Sequence, residues 1–203
     1  MSPSLAIHVD LIPKDGPSDA LRAFLISGKP LINAEPGTLQ WFCFKMHGRE
    51  SYGIFNTFSN AASRNAHIEG EIRRPASGAN AEELLAAPPQ VSLIDIFAHK
   101  VTPSATGLTV GVHIFLKAKA GKTATLKAAL AARAGGVEAE DFTPFWYAFQ
   151  KEGADSFGQI AVFKSAKDRA EHISYAGTQV LLFEDLLEGP ANICLFKILA
   201  YKI

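Results

Sequence analysis

The sequence predicts an α+β protein built from two tandem copies of one strand-helix-strand-strand-helix-strand unit, folded on each other as an internal pseudo-dimer. Three observations predict it. A shift of 105 positions lays the second half on the first without a gap, carrying His8 to His113, Gly16 to Gly121, Glu35 to Glu140 and Thr38 to Thr143. The same shift carries both tryptophans onto each other (Trp41 and Trp146) and takes Gly53, Phe58, Arg64 and His67 to Gly158, Phe163, Arg169 and His172. Second, each copy shows the same succession of period-two and helical-period stretches. Third, the aromatic strands are apolar on both parities, Trp41 and Cys43 against Phe42 and Phe44, so both faces of each sheet want burial.

The elements follow in order. Leu5 to Ile12 alternates as a half-buried strand does. Ser18 opens a helix whose Leu21, Phe24 and Leu25 share a face. Pro36-Gly37 turns the chain into an aromatic strand, Thr38 to Lys45. His47-Gly48-Arg49-Glu50 then makes a hairpin to the strand Tyr52 to Phe58. Ser59 or Asn60 caps a helix through Arg64 and His67. A further helical piece, Ala81 to Leu85, leads through Pro88-Pro89 to the strand Val91 to His99.

The second copy repeats this with strands Leu108 to Leu116, Pro144 to Gln150, Phe157 to Phe163 and Asn192 to Tyr201, and helices Thr123 to Arg133 and Ala166 to Ser174. Late in each copy the offset falls to 102, matching Ala98-His99-Lys100-Val101 to Ala200-Tyr201-Lys202-Ile203. The extra residues of the first copy fall around Pro75-Ala76-Ser77-Gly78, a composition that suits a loop. The expected units are 1–101 and 107–203, joined by the short connector 102–106.

Composition narrows the function classes. Of 203 residues, 48% are hydrophobic, and 20 basic side chains balance 20 acidic ones. A zero balance with no basic run gives no support for nucleic-acid or anionic-membrane partners. Cys43 and Cys194 lie in apolar runs, too far apart in the chain for a disulfide framework or a zinc pattern. Every apolar run is interrupted short of membrane-spanning length, and the N-terminus lacks a signal-peptide pattern, so the expectation is a soluble, reduced, cytoplasmic protein. No phosphate-cradling glycine motif or nucleophile elbow appears, and the histidines are scattered singly, so neither a nucleotide nor a metal is expected.

The order of elements, Pro36-Gly37 before an aromatic strand, and Phe58-Ser59-Asn60-Ala61-Ala62-Ser63-Arg64-Asn65-Ala66-His67 resemble the dimeric α/β-barrel superfamily, most of all its antibiotic-biosynthesis-monooxygenase-type domains. The second copy carries Phe163-Lys164-Ser165-Ala166-Lys167-Asp168-Arg169-Ala170-Glu171-His172. It departs from the pattern in having Asp141-Phe142 where the first has Pro36-Gly37, and both copies have phenylalanine, Phe58 and Phe163, where the family usually has tryptophan. The resemblance implies two ferredoxin-like units whose antiparallel sheets pack as an intramolecular dimeric α/β barrel. It also implies a cofactor-independent pocket between sheet and helices, in which a phenolic or polyketide-like molecule is oxidised by molecular oxygen, cyclised or decarboxylated.

The candidate catalytic residues are His8, Asp10, His67, His113 and His172. His8 and His113 sit mid-strand, on the face opposite Ile7, Val9 and Leu11; each reads either as a cavity base or as a satisfied core histidine. Asp10 shares the face of His8 and is placed to orient it, whereas its counterpart is Phe115, so two cavities would differ chemically. His67 and His172 each follow an arginine by three residues on a helix, reading either as pocket walls or as partners of a nearby carboxylate. Trp41, Phe44, Phe58, Trp146, Tyr147, Phe149 and Tyr201 are the candidate substrate-binding set, each also a plausible core residue. Tyr52 is a further phenolic donor, and Asn33 and Arg64 are expected mainly at the surface.

The leading expectation is an oxygenase of secondary metabolism acting on a hydrophobic aromatic molecule. The alternatives are a cyclase or decarboxylase on the same class, and a non-catalytic binding or stress-response module. Whether one half or both carry a site is open, as is further self-association.

Overall fold

The computed structural model describes residues 1–14, 19–70 and 83–203, of which 176–182 by backbone alone. Its strands are β1 Leu5–Leu11, β2 Gln40–Met46, β3 Tyr52–Phe58, β4 Gln90–Val101, β5 Val110–Lys117, β6 Phe145–Lys151, β7 Ser156–Phe163 and β8 Asn192–Lys202. The helices are α1 Asp19–Ser27, α2 Lys29–Ala34, α3 Ala61–Glu69, α4 Thr123–Ala132, α5 Ala134–Glu138 and α6 Ala166–Val180, with a 3-10 turn at Leu181–Leu186. The strands hydrogen-bond in the order β1-β3-β2-β8-β5-β7-β6-β4, closing into a barrel. The fold is thus the expected α+β barrel of two ferredoxin-like units. Ser18, Ala81 and the loop Pro75-Ala76-Ser77-Gly78 lie outside the described residues.

Two compact units carry the packing, Met1–Ile94 with Lys197–Ile203, and Asp95–Phe196. Each copy's last strand therefore divides. The end of β8 belongs with the first unit, and the end of β4 with the second.

In the first unit β3 pairs antiparallel with both β1 and β2, in a register that sets His8 beside Phe55 and Phe44 beside Gly53. Alternation sends Val9, Leu11, Trp41 and Cys43 to the helix side, where they pack with Leu21, Leu25 and Ile32 of α1 and α2. Phe42 and Phe44, on the opposite face, are fully buried as well. Each such aromatic contributes roughly 1.5–3 kcal/mol through burial. Gly48 supplies the left-handed turn (φ 67) between β2 and β3. Asn60 caps α3, its side chain accepting from the Ser63 amide at 2.9 Å.

The second unit repeats the plan. β7 pairs with β5 and β6, setting His113 beside Ile160 and Phe149 beside Gly158. Val112, Ile114, Leu116 and Trp146 meet Leu126, Leu130 and Val137 on the helix side. Ser165 takes the capping position of Asn60, accepting from the Asp168 amide at 3.1 Å. The two short helices α2 and α5 are absent from the sequence expectation. Pro30 opens one, and Gly135-Gly136 dilutes the helical signal of the other, so each reads as loop. Cys43 and Cys194 are free and buried.

Candidate functional site

Glu35 and Thr38 bracket the turn that takes α2 into β2. The Glu35 amide closes α2 on the Ile32 carbonyl at 3.2 Å, and the Thr38 amide returns to the Glu35 carbonyl. Thr38 Oγ1 donates to Glu35 Oε2, so the carboxylate is fixed before any partner arrives. His67, in the last turn of α3, completes the set with Nδ1 2.6 Å from that same Oε2. A carboxylate only accepts, so Nδ1 carries a proton and Nε2 is the ring nitrogen turned away from Glu35. Asn56 Nδ2 lies 3.3 Å from that Nε2, and the Phe58 ring packs at 5.2 Å from the imidazole.

The second unit builds the same object. Thr143 Oγ1 donates to Glu140 Oε2 at 2.6 Å, and His172 Nδ1 lies 2.6 Å from that oxygen. The Phe163 ring stands 5.2 Å from His172, matching Phe58. Burial is deeper here, His172 being 1% exposed and Glu140 7%. Burial alone raises the Glu140 carboxyl, but hydrogen bonds from His172 and Thr143, with the charges of His172 and Arg133, outweigh it and hold it below its ordinary value.

Each glutamate is also anchored from its backbone. Lys202 Nζ donates to the carbonyls of Ile32 (2.9 Å) and Glu35 (2.6 Å) at the end of α2. Lys100 Nζ donates to Val137 (3.0 Å), Glu138 (3.1 Å) and Glu140 (2.6 Å) at the end of α5. An ammonium on the last carbonyls of a helix satisfies acceptors the helix cannot. These two lysines are matched positions, and each serves the glutamate of the copy it does not come from.

Beyond the shared set the copies differ. Asn56 is replaced by Ala161, Gly28 by Arg133 and Gly70 by Tyr175 at the matched positions. In the second unit a pocket of about 140 Å³ is lined by Ala132, Arg133, Gly136, Val137, Glu140 and Tyr175. Arg133 is 7% exposed; burial pulls its guanidinium below its usual value, with Glu140 and Tyr175 opposing.

His8 and His113 do not join these sets. His8 Nδ1 is 3.5 Å from Asp10 Oδ2, the proximity their spacing suggests, and its ring stacks 6.3 Å from Phe44. His113 lies 3.7 Å from the Phe115 ring and 5.6 Å from Phe149. These strand histidines, with Phe44, Tyr147 and Phe149, occupy the sheet face away from α1 and α4. Trp41, Phe58, Trp146, His67 and His172 occupy the helix side. One pocket cannot take both groups. Trp146 Nε1 donates to Gln159 at 3.1 Å, within the core, and half-buried Tyr201 lies under Lys29 Nζ at 5.5 Å, apart from both groups. Tyr52 is buried in the helix-side core of the first unit.

Arg64, expected at the surface, is instead buried, because α3 turns that side inward with His67. Its counterpart Arg169 shows why such an arginine is kept: Nη1 reaches the carbonyls of Gly111 (3.4 Å) and Phe196 (3.3 Å), tying helix to sheet. Glu35, Thr38, Glu140 and Thr143 show in the sequence only as matched landmarks of the repeat, and Arg133, with glycine at its matched position, carries no signal there. Among the described residues no three histidines, cysteines or carboxylates gather as a metal site, and no helix is long and apolar enough to cross a membrane.

Fold and site together define an α/β barrel of two fused units, each bearing a histidine–carboxylate pair between helix and sheet. No family model and no curated protein matches the chain. Solved structures do match. A candidate monooxygenase of Fusobacterium nucleatum superposes with a TM-score of 0.86 at 13% identity, covering 100% of this chain and 95% of its own. An anthrone oxidase-like protein matches at 0.66 and 9% identity, over 99% and 93% of the two chains. A Listeria monocytogenes ferredoxin-fold protein related to antibiotic biosynthesis monooxygenases matches at 0.58 and 6%, over 97% and 95%. The fold is therefore shared with these structures over almost the whole chain, an α+β barrel of ferredoxin-like units.

Proposed function

We propose that the chain is a monooxygenase-like enzyme that removes a proton from a small hydroxylated aromatic molecule and passes the resulting carbanion to molecular oxygen. The observation that carries this reading is the Glu–Thr–His set, built twice with the same 2.6 Å carboxylate–imidazole contact. Such a contact fixes the tautomer, aims Nε2, and stabilises the imidazolium formed when that nitrogen takes a proton. An activated CH2 would lose a proton to the histidine, and its carbanion would give one electron to oxygen. Recombination forms a carbon–peroxide bond, and protonation with loss of water leaves a carbonyl. One CH2 and one O2 thereby become one C=O and one H2O. The neighbours' names support an oxygen-using reaction, and the resemblance in the sequence implies that it draws on no bound cofactor.

Size narrows the substrate. The pocket beside the second pair, lined by Glu140 and not by His172, measures about 140 Å³, below the roughly 300–1,000 Å³ of pockets for drug-sized ligands, and suits a single ring better than a fused tricycle. The test is oxygen uptake by chelator-treated protein over anthrone and one- and two-ring phenols that carry an activated CH2, with isotopically labelled oxygen traced into product. The expected result is label incorporation with a one-ring compound. A product of changed mass without label would replace the reading by cyclase or decarboxylase chemistry. Return of every compound unchanged would leave a binding module.

A further inference from the structure

We infer that the pocket at the α4–α5 junction of the second unit is a recognition site for a one-ring hydroxyarene bearing a second oxygen function. The hydroxyl is held by Glu140 and the acceptor oxygen by Arg133, and the matched positions of the first unit, Gly28 and Gly70, supply neither the arginine nor the ring.

The pocket is walled by a cation and an anion with unmet hydrogen-bonding capacity. Arg133 Nε and Nη1 have no hydrogen-bond partner among the described residues, although the side chain is more than nine-tenths buried. Glu140 spends Oε2 on both His172 and Thr143, while Oε1 is buried with no partner among the described residues. Buried polar groups are nearly always satisfied, and charged ones left unmet are the most costly. A ligand that answers both must offer an acceptor and a donor on one small frame. With one positive and one negative wall, a neutral or singly charged molecule suits the pocket better than a multiply charged one. The remaining lining is Ala132, Gly136, Val137 and the Tyr175 ring, a short apolar surface for a flat body. A volume of about 140 Å³ admits one ring with its substituents.

Backbone placement makes the site rigid. Arg133 stands where α4 ends and α5 begins, and its carbonyl accepts from the Val137 amide at 3.0 Å. Glu140 is pinned from behind by Lys100 at 2.6 Å. In the first copy Gly28 stands at the position of Arg133 and Gly70 at that of Tyr175, so the glutamate–histidine pair recurs there without a recognition arginine.

This inference rests on the proposed chemistry only for the choice of a phenolic ligand, and direct binding tests it apart from turnover. Titration calorimetry with 1,2- and 1,3-dihydroxybenzene, with anisole as the donor-less control, should show one site per chain for at least one isomer. Anisole should bind at least about tenfold more weakly, the scale of a lost hydrogen bond to a charged group. The Arg133 Nε–H resonance should move on addition of the ligand, a readout that needs no variant. Arg133→Met and Arg133→Gly, once shown to keep the wild-type melting transition, should each weaken binding about tenfold or more. Two sites per chain, equal binding by Arg133→Met, or no binding of either isomer at millimolar concentration would overturn the inference. Neither dihydroxybenzene carries the CH2 that the oxygenation needs, so their binding tests this inference alone; absence of oxygen uptake across the CH2-bearing panel would remove the oxygenase reading and leave this one standing, and uptake unchanged in Arg133→Met would do the reverse.

Discussion

Glu140 takes two donors on one oxygen, and that concentration of hydrogen bonds on a buried carboxylate has a pH signature. Its folded pKa lies below its ordinary value, so the folded state favours the ionised form. The stabilisation is complete above the unfolded carboxylate value near 4.3 and drains away as pH falls through the lower folded value. Glu140→Gln should therefore be less stable than wild type by about 1.5–3 kcal/mol at pH 7, the range for hydrogen bonds to a charged group. The gap in urea midpoint should narrow toward pH 3; a constant gap would mean the charge contributes nothing. Cys43 offers a second residue-scale test. Burial pushes its thiol up to about 12, so almost no thiolate exists at pH 8. Native protein should resist iodoacetamide at Cys43 in peptide mapping, labelling there only as fast as it unfolds, and rapid labelling of folded protein would contradict the packing. At this scale the sequence discloses half of the site. His67 and His172 stand out by type, and a carboxylate partner is one of the readings their helical position allows. That the partner is Glu35 or Glu140 depends on how a short helix ends some thirty residues away, which no local pattern records. Arg133 is less legible still, since having no match in the other copy makes it resemble any surface arginine.

Among the elements, the matched glycines and lysines acquire reasons that periodicity alone does not supply. Gly53 lies opposite Phe44 across β2 and β3, and a Cβ there would sit 2.1 Å from the Phe44 ring. Gly158 lies opposite Phe149 in the same way, with its nearest ring atom at 2.4 Å. The ring lies over the glycine and fills the space a side chain would need. Gly53→Ala and Gly158→Ala should each cost about 1–3 kcal/mol, the price of overpacking, measured by chemical denaturation. A neutral outcome would show that the ring moves aside freely. The lysines test positioning rather than packing. Lys202→Met removes the ammonium from the Ile32 and Glu35 carbonyls, so α2 should fray and the Glu35–His67 contact should loosen. The His67 Nδ1–H resonance would shift or broaden, while the His172 resonance, held through Lys100, would stay in place. Loss of both resonances would mean global damage, and movement of neither would mean that Lys202 does not position Glu35.

At the level of the molecule the repeat makes the fold legible. Matched tryptophans, glycines and histidines place every strand within a few residues, and apolar strands of both parities require both sheet faces to be covered. The division of β4 and β8 between the compact units is not legible, because a repeat in sequence marks copies and does not say which packed body each strand end joins. The two copies hold their histidine–carboxylate pairs in unlike settings, and this asymmetry decides the last prediction. In the first unit an amide, Asn56, stands 3.3 Å from His67 Nε2, while Gly28 and Gly70 occupy the positions of Arg133 and Tyr175. In the second, Ala161 takes the place of Asn56, and Glu140 lines a pocket with an arginine in its wall. If turnover follows the proposed proton abstraction, His172→Ala should lower kcat by about 10²–10⁴-fold, the usual contribution of a general base. His67→Ala should cost stability through the orphaned Glu35, yet keep kcat within a few-fold once activity is normalised to the folded fraction. Equal losses from the two variants would mean that both copies catalyse and that the arginine pocket is not what separates them.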